Sequence, residues 1–100
     1  MNRDIYLAFI KLHILYHAGE EEVFGLGLIE ELGRHGYKLG PGTLYPTLAK
    51  MEGLGYLKSN ILVVQQRRRK YYRITPGGKK LLKEVRVKLK ELYQELIQGK

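Results

Sequence analysis

The chemistry most legible in this chain is that of its cations. Arg67, Arg68, Arg69 and Lys70 follow one another without interruption, and four adjacent positive charges repel one another unless a polyanion lies nearby. A phosphate backbone answers that need, because each neutralised phosphate releases condensed counterions. The plainer alternative is a solvated basic face. A second group, Thr43, Tyr45 and Thr47 with Lys50 one turn beyond, combines hydroxyls with a cation near a helix start. There, backbone N–H groups and the helix dipole also favour phosphate. Lys50 has the reach for either a base edge or a phosphate. Tyr45 could equally pack as a surface aromatic, with the threonines acting as caps.

Other chemistries find no support. Ser59 is the only serine, no serine-histidine-acid set is recognisable, and Gly25-Leu26-Gly27 belongs to no phosphate-loop motif. His13, His17 and His35 read as too scattered for a metal site in a chain without cysteine, and are expected to be ordinary packed or surface residues. No enzyme activity and no cofactor are expected.

The elements that would carry these groups follow from periodicity. Ile5, Phe9, Leu12 and Tyr16 form one helical stripe, and Leu7, Ile10 and Ile14 form another on a different side. A helix apolar on so much of its circumference needs cover on two sides. After the polar turn at Gly19 to Glu22, Phe24, Leu28, Ile29 and Leu32 predict a short second helix, with Gly36 placed to end it. Leu44, Leu48, Met51 and Leu54 predict a third that stops at Gly55. Because Pro46 cannot donate a hydrogen bond, regular helix is expected to begin only near Gly42 or Thr43. Two short helices joined by a glycine-containing turn are the layout of a helix-turn-helix.

Tyr56 to Val64 and Lys70 to Thr75 then read as strands. Tyr72 is assigned to the core, and Tyr71 to the support of the hairpin or contact with a backbone. The connection Gln65 to Arg69 lacks the Gly, Asn or Asp of tight hairpin turns, so a longer, mobile loop with three arginines at its tip is expected: a wing. Thr75-Pro76 is a helix start, with Thr as N-cap and Pro at the first position. Leu82, Val85, Leu89, Leu92 and Leu96 continue it as a heptad seam to about Ile97. At roughly 1.5 Å per residue this helix exceeds 30 Å, more than so small a domain can cover, which predicts a dimerisation arm.

Composition sets the outer bounds. One hundred residues make one domain, and 44% hydrophobic with 28% charged residues is a globular balance. Without cysteine, packing or a partner subunit must hold the fold. Residues 1 to 58 hold six Lys/Arg against seven Asp/Glu, a net of −1, whereas residues 59 to 100 hold twelve against three, a net of +9. The positive field therefore belongs to one half. The apolar stretch Asp4 to His17 spans about 14 residues, short of the ~18 a membrane helix needs, and its flanks do not suit a signal peptide. A cytoplasmic protein without membrane contact is expected.

Two sequence blocks carry a resemblance to a known family. Gly42-Thr43-Leu44-Tyr45-Pro46, with Leu48, Met51-Glu52 and Gly55-Tyr56-Leu57, resembles the recognition-helix signature of the PadR-like transcriptional regulators. Arg69-Lys70-Tyr71-Tyr72-Arg73-Ile74-Thr75, with Gly78 after it, is similar to their second wing strand and final helix start. The likeness runs from about Ile5 to Leu96. It implies a homodimeric regulator, usually a repressor, with the third helix in the major groove of double-stranded DNA and the wing along the flanking backbone. Thr43, Tyr45, Thr47 and the basic wing would touch DNA. The chain departs from the family pattern at several places. Gly40 stands where a Ser-type cap is common, Phe24-Gly25-Leu26 where His-Gly-Tyr is usual, and the wing tip lacks its usual glycine. No tryptophan is present to stack on a drug-like effector.

The combined expectation is a mainly α fold with a small β-hairpin, a winged helix-turn-helix over residues 1–75 followed by a C-terminal dimerisation helix over residues 76–100. The DNA-binding candidates are Lys38, Gly42, Thr43, Tyr45, Pro46, Thr47, Lys50, Arg67, Arg68, Arg69, Lys70 and Tyr71. The dimer candidates are Ile5, Phe9, Leu12, Leu82, Val85, Leu89, Leu92 and Leu96. An RNA-binding or ribosome-associated winged helix and a protein adaptor with an idle basic face are the competing readings. An effector, should one exist, is expected between the first and last helices.

Overall fold

A computed structural model describes all of residues 1–100. Three helices meet in its core. Helix α1 (Arg3–Glu20) gives Ile10, Ile14, Leu15 and Ala18; α2 (Gly25–Arg34) gives Leu28 and Leu32; α3 (Pro41–Gly53) gives Leu44, Leu48 and Met51. A sheet closes the core with Leu57, Tyr72 and Ile74. The two apolar sides of α1 divide as the pattern demands: Ile10 and Ile14 are buried, whereas Ile5, Phe9 and Tyr16 remain exposed. Helix α1 is capped by Asn2, whose Oδ1 accepts from the N–H groups of Asp4 and Ile5 at 2.8 and 3.2 Å. Gly36 and Gly55, at φ of +87° and +86°, terminate α2 and α3 in the left-handed conformation that their positions predicted. Leu54, read as the end of the α3 stripe, is instead exposed just past the last turn.

The hairpin is embedded in a larger sheet. Strand β1 (Val23–Phe24) lies beside β3 (Arg67–Ile74), which pairs in turn with β2 (Leu57–Val64), all antiparallel in the order β1-β3-β2. Phe24, read as the first apolar position of the second helix, belongs to β1 and pairs with Tyr71. A strand of two residues is too short to show a period in sequence.

The wing also departs from expectation. The β2–β3 register runs without a break from Leu57↔Ile74 to Val64↔Arg67, leaving only Gln65 and Gln66 between the strands. Both adopt positive φ, +51° and +63°, so a tight two-residue turn of the kind normally filled by Asn-Gly is built from glutamines. Cross-strand pairing overrides the local preference. The expected long loop is absent, and Arg67, Arg68 and Arg69 lie on the strand rather than at its tip.

Helix α4 (Pro76–Leu96) starts as read, the Thr75 hydroxyl accepting from the Gly78 N–H at 3.0 Å. Its first turns pack on the core through Leu81 and Leu82, and Leu82 and Val85 face α1; from Arg86 onward every residue is exposed. The projecting half draws the molecule out to 54 × 28 × 20 Å. No helix is long and apolar enough to cross a membrane.

Candidate nucleic-acid interface

Helix α3 begins one or two residues earlier than expected, with Pro41 at its first position and Gly40 as an N-cap that offers no side-chain bond. The Gly40 carbonyl accepts from the N–H groups of Thr43 and Leu44 at 3.1 and 3.0 Å. Pro46 sits inside the helix, where its ring frees the Gly42 carbonyl from an i−4 bond. Four residues after Thr43, Thr47 is buried and returns its Oγ1 to the Thr43 carbonyl at 2.8 Å. Thr47 was expected on the outer face. It is spent on its own helix instead, because its position falls beside Leu48 on the buried side.

The outward face of α3 comprises Gly42, Tyr45, Pro46, Ala49 and Lys50, with Thr43 half-buried at its edge. None of these is acidic. The helix's one carboxylate, Glu52, is held aside. Its Oε2 accepts from the Ser59 N–H at 3.0 Å and the Ser59 hydroxyl at 2.6 Å, and Lys70 Nζ stands 3.9 Å from Oε1. The Ser59 hydroxyl above all, with its N–H and the Lys70 charge, holds the Glu52 carboxyl below the usual carboxylate range despite some opposing desolvation. This cluster fixes the C-terminal end of α3 to β2 and β3.

Alternation along β3 sorts the basic run into two faces. Arg69 lies over the Phe24 ring at 4.3 Å from its centroid, and half-buried Tyr71 meets the same ring edge-on at 5.5 Å. Lys70, on the opposite face, reaches over Tyr72 at 5.6 Å as well as towards Glu52. Tyr72 is buried, as read. Arg73 pairs with Glu22. Arg67 and Arg68, nearest the turn, are exposed and have no ion-pair partner. The wing thus carries three committed cations towards its base, Arg69, Lys70 and Arg73, and two free ones at its outer end. Lys38 is exposed on the loop before α3, its N–H bonded to Tyr6 Oη at 2.7 Å.

The apolar candidates gather elsewhere. Phe9 and Leu12 of α1 line one groove with Leu82, Val85 and Leu89 of α4. Leu92 and Leu96 continue along exposed α4, and Ile5 lies on the exposed side of α1. His13, His17 and His35 also converge beside this groove, with potential ligand atoms within 4.8 Å of one another. The expectation that they are scattered is therefore corrected. His13 and His17 share a face of α1 at i, i+4, and α2 brings His35 against them; the first relation could have been found by spacing, the second could not.

Three core helices, a β-hairpin wing on a three-stranded sheet and an appended long helix define a winged helix-turn-helix protein. The Transcriptional regulator PadR-like family model matches residues 14–84, and the chain belongs to that family. Over 97 residues it is 48% identical to Transcriptional regulator Rv3488 of Mycobacterium tuberculosis (strain ATCC 25618 / H37Rv), covering 97% of this chain and 91% of that protein. The fold is similar to that of smu.1704 from Streptococcus mutans UA159, with TM-score 0.77, 32% identity and coverage of 90% and 83% of the two chains. A PadR family transcriptional regulator from Eggerthella lenta DSM 2243 is similar too, with TM-score 0.82, 28% identity and coverage of 93% and 82%. The chain is accordingly a transcriptional regulator and not an enzyme.

Proposed function

We propose that this regulator binds double-stranded DNA as a homodimer in the cytoplasm and represses transcription by occupying its site. The acid-free outer face of α3, set beside a wing with two unpaired arginines, is the observation that carries this reading. Gly42, Thr43, Tyr45, Pro46 and Lys50 enter or flank the major groove; Arg67 and Arg68 follow phosphates, with Lys38, Arg69, Lys70 and Tyr71 in support. Thr47 acts indirectly, by holding the α3 backbone. Residues 1–75 form the reading head and residues 76–100 the clasp, with α4 and the exposed side of α1 covered by a second copy. Two-fold pairing suits half-sites about 34 Å apart, one helical turn of DNA.

Fluorescence anisotropy with duplexes from the regulator's own genomic neighbourhood tests the proposal at two salt concentrations, with folded RNA as competitor. Binding to duplex should weaken steeply with salt, and combined Arg67→Ala and Arg68→Ala should make the log–log salt slope shallower by about 0.9 for each phosphate left without its arginine. Failure to bind any duplex, or preference for folded RNA, rejects the reading. Loss of repression in a promoter-reporter strain carrying the same variant checks the regulatory sign.

A further inference from the structure

We propose that His13, His17 and His35, with Glu31, form a binding site for a borderline divalent transition-metal ion of the Zn2+ type, at the junction of α1 with the C-terminal end of α2. This site does not depend on the DNA-binding proposal, and it is read without DNA.

These are all three histidines of the chain, drawn from two helices to one place. The His13 and His35 rings stack at 4.5 Å between centroids, and the His17 ring lies 6.4 and 6.2 Å from them. Nothing in ordinary packing calls for three imidazoles gathered in one place. His17 Nε2 is buried without a hydrogen-bond partner, an orphaned lone pair or N–H in a site that is otherwise polar.

Glu31 completes the donor set. Arg34 Nη1 holds its Oε2 at 2.5 Å, which turns Oε1 towards His17 Nε2 at 3.7 Å and His35 Nε2 at 3.8 Å. Zn–N and Zn–O bonds of about 2.0–2.1 Å in a tetrahedron place ligand atoms about 3.3 Å apart. Glu31 Oε1 therefore lies within half an ångström of a coordinating separation from His17 and His35, and the three histidines, whose ligand atoms lie within 4.8 Å of one another, would have to close the remaining gap by ring rotation. Three nitrogens and one carboxylate oxygen favour Zn2+, Co2+ or Ni2+ over Mg2+ or Ca2+, which prefer oxygen. Arg34 fills the outer-shell role that orients a ligating carboxylate. Occupancy would pin the middle of α1 to the end of α2.

Tag-free full-length protein titrated with ZnCl2 by calorimetry should bind one ion per chain at micromolar or lower dissociation constant, unaffected by excess Mg2+. Co2+ should give the intense visible bands of a tetrahedral site. His17→Ala and His35→Ala should each weaken Zn2+ binding by at least about tenfold and remove the Co2+ bands, with circular dichroism confirming the fold. His35 is already exposed, so that variant leaves the core intact. Absence of Zn2+ binding and Co2+ bands in the wild type, or unchanged binding in the folded His13→Ala/His35→Ala double variant, overturns the proposal.

Discussion

The Tyr45 phenol of α3 occupies the space that a side chain on Gly25 would take: a Cβ at Gly25 would stand 2.6 Å from Tyr45 Cζ. The first turn of α2 and the outward face of α3 are thus locked by the absence of one methyl group. Gly25 is buried by this contact, and Tyr45 keeps 43% exposure. One residue therefore serves both readings made of it, packing against α2 while its ring borders the proposed DNA face.

Gly25→Ala should consequently push aside the outer end of the half-exposed Tyr45 ring, a cost of about 1 kcal/mol or less, below that of overpacking a rigid core, because the ring can swing and alanine is the better helix former. In a Tyr45→Ala background the same change should cost little or become favourable. Thermal melts of the four-member cycle measure the coupling; equal effects of Gly25→Ala in both backgrounds would refute the contact.

The glutamine turn makes the opposite prediction. Each non-glycine residue held in the left-handed region costs about 1–2 kcal/mol. Gln65→Asn with Gln66→Gly should therefore raise stability by about 1 kcal/mol, a rise of about 4–8 °C in a domain of this size, while leaving the β2–β3 register unchanged. A melting temperature that stays level or falls would show that the hairpin turns differently.

If α4 clasps a second copy, charge introduced on its projecting half should separate the subunits without unfolding them. Leu89 and Leu92 are 46% and 48% exposed in the protomer. Sedimentation of Leu89→Glu/Leu92→Glu should show monomers with native circular dichroism, while Lys90→Glu stays dimeric. A wild-type monomer at working concentration would defeat the proposed clasp outright.

Glu52 gives a pH dependence with a definite sign. Its folded pKa is lowered, chiefly by the Ser59 hydroxyl, so its contribution is fully present above the ordinary carboxylate value and is lost as pH falls through the depressed one. Denaturant titrations from pH 7 into the acid range should show Glu52→Gln costing about 1 kcal/mol at pH 7, in line with the removal of one side-chain bond, and progressively less as pH falls below the ordinary carboxylate value. A cost that does not change with pH would assign the loss to packing instead.

Which helices exist, and in what order around the hairpin, was written in local sequence: the core stripe Leu44, Leu48 and Met51, the stops at Gly36 and Gly55, and the Thr75-Pro76 start each follow from a period or a cap that needs no distant partner. The charge of the wing and the uncovered length of α4 are likewise additive properties of neighbouring residues. Tertiary structure alone decided what depends on separated segments meeting. Pairing with β3 made a strand of Val23–Phe24 and forced Gln65 and Gln66 into a tight turn. Helix packing turned Thr47 inward, seated Tyr45 on Gly25, and brought His35 from another helix to His13 and His17. Contacts between residues far apart in the chain have no period along it, so only the folded backbone could reveal them.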